Sequence, residues 1–253
     1  LSLRFPDRNI RSITPPLFCR SRYDSWIKML NYHLKRETIQ VYQNDFNICS
    51  LLDNQQFDED DYEAAALGIT SSTWSLFGII WPASHILAAE VNTFNFTGKR
   101  VLELGCGIGL ASLVLHKMGV DITASDYHPR AQEFLDRNIR ENNLAPIKFE
   151  SVDFEKENQM LGKFDIIIAS DILYQPHQAK FVANFISAHS SNDSEVILVD
   201  PGRENRSKFT LNMTALGYSY QSRNFNQTLA SGIKCKGQIL HYQRLSMPVR
   251  GDI

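Results

Sequence analysis

The sequence predicts an α/β protein: a doubly wound, mostly parallel seven-stranded sheet with an antiparallel edge hairpin and an N-terminal extension. Three observations carry that expectation. From Lys99 onward, short apolar runs alternate with stretches of helical periodicity, as in successive strand–helix–strand units. The last two runs have no helix between them, so they pair antiparallel at one edge. A glycine-rich turn, Gly105-Cys106-Gly107-Ile108-Gly109, directly follows the first run, at the end of the sheet where such folds bind ligands.

The elements follow in order. The chain divides near residue 97, into an extension over 1–96 and a sheet domain over 97–253. Tyr23 to Leu34 has apolar residues at helical spacing, and Asn44 to Asp61 is a polar, acidic stretch. Asp60 to Gly68 reads as a helical turn or two, and Trp81-Pro82 opens a helix through Val91, since proline suits a first turn. Strands are expected at Arg100–Leu104, Asp121–Ser125, Ile147–Val152, Phe164–Ser170, Glu195–Val199, Tyr218–Asn224 and Gln238–Arg244. Helices are expected at Leu110–Met118, at Pro129–Asn143 (opened by Asp126 or His128), at Pro176–Ser187 and at Asn205–Leu216.

Composition narrows the function classes. With 26 basic and 28 acidic residues the formal charge is −2, so no general electrostatic attraction to nucleic acid is expected. Four scattered cysteines without a CxxC pair read as reduced thiols, neither a disulfide framework nor a zinc site. His85, His128 and His177 read as surface or capping residues, and no metal is expected. The longest apolar candidate, Trp74 to Val91, is too interrupted to span a membrane. Residues 1–22 carry five arginines and read as a basic surface arm, with the cytoplasm as the expected location.

The glycine turn has a particular form. In a dinucleotide fingerprint, G-x-G-x-x-G, the sixth position would fall on Leu110, and no P-loop sequence is present, so a phosphate cradle is not expected. Glu103 precedes the turn and suits a cationic or amino-bearing ligand. Asp126 ends the next strand, where a carboxylate can accept both hydroxyls of a ribose. A sulfonium amino acid attached to a ribose satisfies all three features.

On Glu103-x-Gly105-x-Gly107-x-Gly109, residues 97–245 resemble the class I, Rossmann-like S-adenosylmethionine-dependent methyltransferases. Ser170-Asp171-Ile172-Leu173-Tyr174 lacks the prolines with which base-methylating enzymes shape a slot for a flipped base. It resembles the D-x-x-Y element of the methyltransferase-16 group of protein-lysine methyltransferases. Gly78-Ile79-Ile80-Trp81-Pro82-Ala83, Val152-Asp153-Phe154 and Asp200-Pro201-Gly202-Arg203 are similar to further segments of that group.

The resemblance implies an N-methyltransferase acting on a lysine of a protein, with S-adenosyl-L-methionine as cofactor. Asp171 and Tyr174 would be catalytic, orienting the incoming amine. Glu103, Gly105, Cys106, Gly107 and Gly109 would hold the methionine part. Asp126 and Tyr127 would lie at the ribose, and Asp153, Phe154 and Ser170 at the adenine. Trp81 would close the pocket as part of a lid formed by the extension, and Arg203 would either order Asp171 or contact substrate. A small-molecule amine acceptor of the nicotinamide type and a non-catalytic cofactor-binding scaffold are the alternatives.

Overall fold

The computed structural model describes residues 32–156, 159–175 and 177–245. In chain order the strands and helices are β1 (Leu34–Val41), β2 (Asn44–Leu51), α1 (Tyr62–Ala66) and α2 (Ser71–Trp74). A 3₁₀ turn at Ser75–Gly78 leads into α3 (Pro82–Val91). Then come β3 (Arg100–Leu104), α4 (Leu110–Lys117), β4 (Asp121–Asp126), α5 (Ala131–Glu141) and β5 (Lys148–Ser151). The chain continues with β6 (Phe164–Ser170), α6 (Gln178–His189), β7 (Ser190–Asp200), α7 (Arg206–Ala215), β8 (Ser219–Thr228) and β9 (Lys234–Arg244).

Seven strands form one sheet in the order β5-β4-β3-β6-β7-β9-β8. β3 to β7 are mutually parallel, while β9 runs antiparallel to both β7 and β8. The sheet and its edge hairpin therefore match the expectation. The central strands are buried on both faces, which is why Val101-Leu102 and Ile166-Ile167-Ile168-Ala169 read as unbroken apolar runs. The order in which strands are added reverses between β3 and β6: successive units step from β3 towards β5 on one side and from β6 towards β7 on the other. Right-handed crossovers send the two sets of helices to opposite faces. In such sheets ligands bind beyond the carboxyl ends of the strands at this reversal, here those of β3 and β6.

One core cluster joins Leu102, Leu104, Ile167 and Ala169 of the sheet to Val182, Phe185 and Ile186 of α6 and to Phe209 and Met213 of α7. Ile172 and Leu173 belong to it as well. The segment that carries the candidate catalytic residues is thus rooted in the core by every side chain between Asp171 and Tyr174.

Two expectations are corrected. The stretch read only as polar and acidic contains β2, which pairs with β1 in register from Leu34↔Leu51 to Val41↔Asn44. This hairpin lies on α5, where the amide of Asn138 bonds both to the N–H of Cys49 (2.8 Å) and to its carbonyl (3.2 Å). The helix expected from Pro129 starts at Ala131, with Arg130 at its N-cap position. The described residues from His33 onward fall in one compact unit, on both sides of the division near residue 97. The helical spacing read over Tyr23 to Leu34 lies largely outside the described residues; Leu34 itself opens β1. The basic arm over 1–22 lies outside them entirely.

Candidate active site

The glycine turn follows β3 at the reversal point, with the end of β4 on one side and Ile172, after β6, on the other. Gly105, Gly107 and Gly109 have φ of 63°, 54° and 84°, the left-handed region that side chains rarely adopt. Space is short as well. A Cβ on Gly107 would stand 2.8 Å from the carbonyl oxygen of Phe77, and one on Gly105 2.7 Å from Cγ2 of Ile172. The turn is pinned through its backbone: the N–H of Cys106 donates to Ser125 O (2.9 Å), and that of Gly107 to Oδ2 of Asp126 (2.8 Å). Cys106 is buried and free, as are Cys49 and Cys235, and burial pushes its thiol up.

Asp126 is placed by β4 at the mouth. Besides Gly107 it accepts from the N–H of His128 through Oδ1 (2.8 Å), so one carboxylate braces the turns after β3 and β4. Burial raises its pKa against those two hydrogen bonds. Glu103 has a different environment. It is only 3% exposed, and Oε2 accepts from both the backbone N–H (2.9 Å) and the hydroxyl of Ser112 in the first turn of α4. Burial pushes its carboxyl up to about 7, against the Ser112 bonds and with a further push from Asp126. Its carboxylate thus also fastens strand to helix, a use that the motif did not reveal.

The residues expected to form a lid reach the turn through the 3₁₀ segment. Trp81 donates its indole N–H to Leu76 O (2.8 Å), one residue from the Phe77 carbonyl that closes over Gly107. Tyr127 donates its hydroxyl to Leu67 O (2.6 Å), tying the end of β4 to the segment after α1. His128 is buried and stacks on Phe77, with ring centroids 4.1 Å apart. The expectation of a surface or capping group is met only in part: its Nδ1 does cap, accepting from the N–H of Arg130 (3.1 Å), but its ring is a core element. Burial drives it down to about 3, so it is neutral at ordinary pH.

After β5, Val152 donates its N–H to Asp126 O (3.0 Å), which brings Asp153 and Phe154 beside the Asp126 turn. Asp153 is engaged within its own loop, accepting from the N–H of Glu155 and pairing with Lys156 at 2.9 Å. Phe154 meets Phe185 of α6 edge-on at 5.7 Å and packs against the core cluster.

At the end of β6, Ser170 pairs with Val199 and the chain turns at Asp171, whose φ is 53°. Both carboxylate oxygens of Asp171 accept from Arg203. Tyr174 remains 42% exposed at the rim. Its phenol is pushed up to about 12 by desolvation, then by the negative charge of Asp126, against a hydrogen bond with Gln178; Asp171 raises it further and Arg203 opposes. The charges of Asp126, at the end of β4, and of Asp171, after β6, both reach Tyr174. Asn205 opens α7 from its N-cap position, as expected, and its side chain also bonds to the loop that carries Tyr174. Among the described residues no group of three or more His, Cys, Asp or Glu is placed to hold a metal, and no helix is long and apolar enough to cross a membrane.

This strand order, with a glycine turn after the first parallel strand and a carboxylate ending the second, defines the fold of the S-adenosylmethionine-dependent methyltransferases. Known proteins agree. Residues 64–215 match the lysine methyltransferase family, and the chain belongs to it. It is 31% identical to protein N-lysine methyltransferase METTL21A of Danio rerio over 51% of this chain and 63% of that protein. It is 30% identical to the electron transfer flavoprotein beta subunit lysine methyltransferase of Xenopus laevis, over 50% of this chain and 52% of that protein. The matches thus span about half to three-fifths of those relatives. Among solved structures, the 16S rRNA methyltransferase RsmC of T. thermophilus superposes with a TM-score of 0.56 at 15% identity, over 85% of this chain and 52% of that one, a likeness of fold.

Proposed function

We propose that this protein transfers a methyl group from S-adenosylmethionine to a lysine side chain of a protein. The observation that carries the reading is the convergence of Asp171 and Tyr174 with the Gly105–Gly109 turn and Asp126 on one mouth of the sheet. The residues fit the cofactor: the Gly107 position leaves no room for a Cβ, so backbone alone lines the cradle there. Glu103 and the turn would hold the methionine part, Asp126 the ribose, and Phe154 with Ser170 the adenine. When bound, the cofactor supplies an electrophilic methyl group on a sulfonium.

The chain's own task is then to present an amine lone pair in line with that methyl group. A lysine must shed its proton first, and a partly desolvated mouth favours the neutral amine. Asp171, paired with Arg203 through both of its oxygens, accepts an amine N–H. Tyr174 keeps its proton because its phenol lies far above neutral pH; its oxygen accepts and orients while its ring walls the channel.

The test incubates the chain with tritiated S-adenosylmethionine and a cell lysate. Label is expected in a discrete protein band at lysine; label confined to small molecules would overturn the protein substrate. Asp171→Ala and Tyr174→Phe should each slow labelling roughly 10- to 100-fold, the range that misorientation of reactants costs. Cofactor affinity by calorimetry should stay within about twofold, since neither residue is assigned to the cofactor.

A further inference from the structure

The turn after β7 grips the Asp171–Tyr174 loop at several points. Asp171 holds a left-handed backbone, a conformation that aspartate tolerates better than most residues with a side chain. Its N–H donates to Val199 O (2.9 Å). Arg203 takes its carboxylate with two parallel bonds, Nε to Oδ1 at 2.6 Å and a terminal nitrogen to Oδ2 at 2.8 Å. Asn205 spans Tyr174: its amide nitrogen donates to Leu173 O (3.1 Å) and to Gln175 O (2.8 Å), the carbonyls on either side.

The gripping turn is itself rigid. Asp200, fully buried at the end of β7, accepts the N–H groups of both Gly202 and Arg203 at 2.8 Å through one oxygen. The edge hairpin closes over it, since a Cβ on Gly237 would fall 2.8 Å from both Pro201 Cα and the Phe225 ring.

We propose that Arg203 and Asn205 are the positioning residues of the methyl-transfer site, Arg203 aiming the Asp171 carboxylate and Asn205 fixing the backbone that carries Tyr174. The inference rests on the assignment of Asp171 and Tyr174 to the incoming amine. A carboxylate offers about four lone-pair directions. The guanidinium fork fills two of them and fixes the plane of the rest, so Asp171 can be aimed and still accept an amine. An ammonium group is a point donor without that fork, so lysine in place of Arg203 keeps the charge and loses the orientation.

The test uses the full chain, tritiated S-adenosylmethionine and the lysate band that the unaltered chain labels, with initial rates taken against lysate concentration. Arg203→Met and Asn205→Ala should each lower the saturating rate roughly 10- to 100-fold, with the half-saturating lysate concentration and cofactor affinity within about twofold. Arg203→Lys should recover only a minor part of the rate, and Asn205→Asp, which removes the N–H donors, none. A ¹⁹F resonance from fluorotyrosine at position 174 should broaden or shift in the Asn205 variants. If Arg203→Met does not fold, Arg203→Lys and Asn205→Asp carry the test. Unchanged rates in folded variants, alongside loss of activity in Asp171→Ala, would overturn the inference and leave the methyltransferase reading standing. Full activity in Asp171→Ala, or no labelled band with the unaltered chain, would remove the reading and the inference together.

Discussion

Glu103 shows how a residue can be legible and still incompletely understood. Its place before the glycine turn marks it as a site residue, but its burial and its bonds to Ser112 depend on where α4 begins. The consequence is measurable. Folded Glu103 keeps its proton up to about pH 7, whereas an exposed glutamate loses it above 4.5. Between those values the folded state binds the extra proton, so this group's contribution makes stability fall as pH rises, by on the order of 3 kcal/mol across the window. His128 works in the other direction. Held down to about 3 from 6.5, it stays neutral while the unfolded imidazole charges, so its contribution to stability grows as pH rises towards 6.5. Glu103→Gln removes the first slope and leaves the second. Urea unfolding at pH 5 and pH 8 should show the variant gaining on the parent protein at the higher pH; a constant gap would mean that the carboxyl is not buried as an acid. Asn205 and Ser112 were not legible as functional groups, because their partners lie 30 and 9 positions away in sequence.

Among the elements, those with sustained periodicity or an unbroken apolar run were legible almost to their ends, β3, β6 and α4 included. The β1–β2 hairpin was not. Its turn places Tyr42 at φ 53° where asparagine or glycine would have announced a hairpin, and β2 buries five of its last six residues, so alternation is weak. The glycine turn is the element with the least freedom. Gly107→Ala should lose about 1–2 kcal/mol from the left-handed backbone alone, and the new Cβ would press on a main-chain carbonyl that cannot swing aside as a side chain could. Cofactor affinity by calorimetry is expected to fall at least tenfold, about 1.4 kcal/mol. Retention of full affinity would show that the Phe77 segment yields and does not line the cradle.

At the scale of the whole molecule, the acidic run Asp58-Glu59-Asp60-Asp61 has turned out to hold a structural pin. Asp61, 1% exposed at its side chain, pairs with Arg130 (6%) through Nε at 3.0 Å and a terminal nitrogen at 2.8 Å, and also accepts from the Trp74 indole at 3.0 Å. This joins the segment before α1 to the start of α5 and so holds the covering residues over the glycine turn. Arg130→Met would leave Asp61 buried without its cation, at a cost of about 3–5 kcal/mol by urea unfolding; a loss under about 1 kcal/mol would mean that Asp61 finds water. Local signals in the chain were enough to determine the sheet, its order of strand and helix, the glycine turn and the residues at the strand ends, because apolar period, glycine placement and strand-end position are properties of neighbouring residues. Only the tertiary structure decided that Glu103 faces Ser112, that Asp61 locks Arg130, and that Arg203 and Asn205 hold the Asp171–Tyr174 loop. Those pairings join residues that are distant in sequence, and which polar groups meet is settled by how the layers pack.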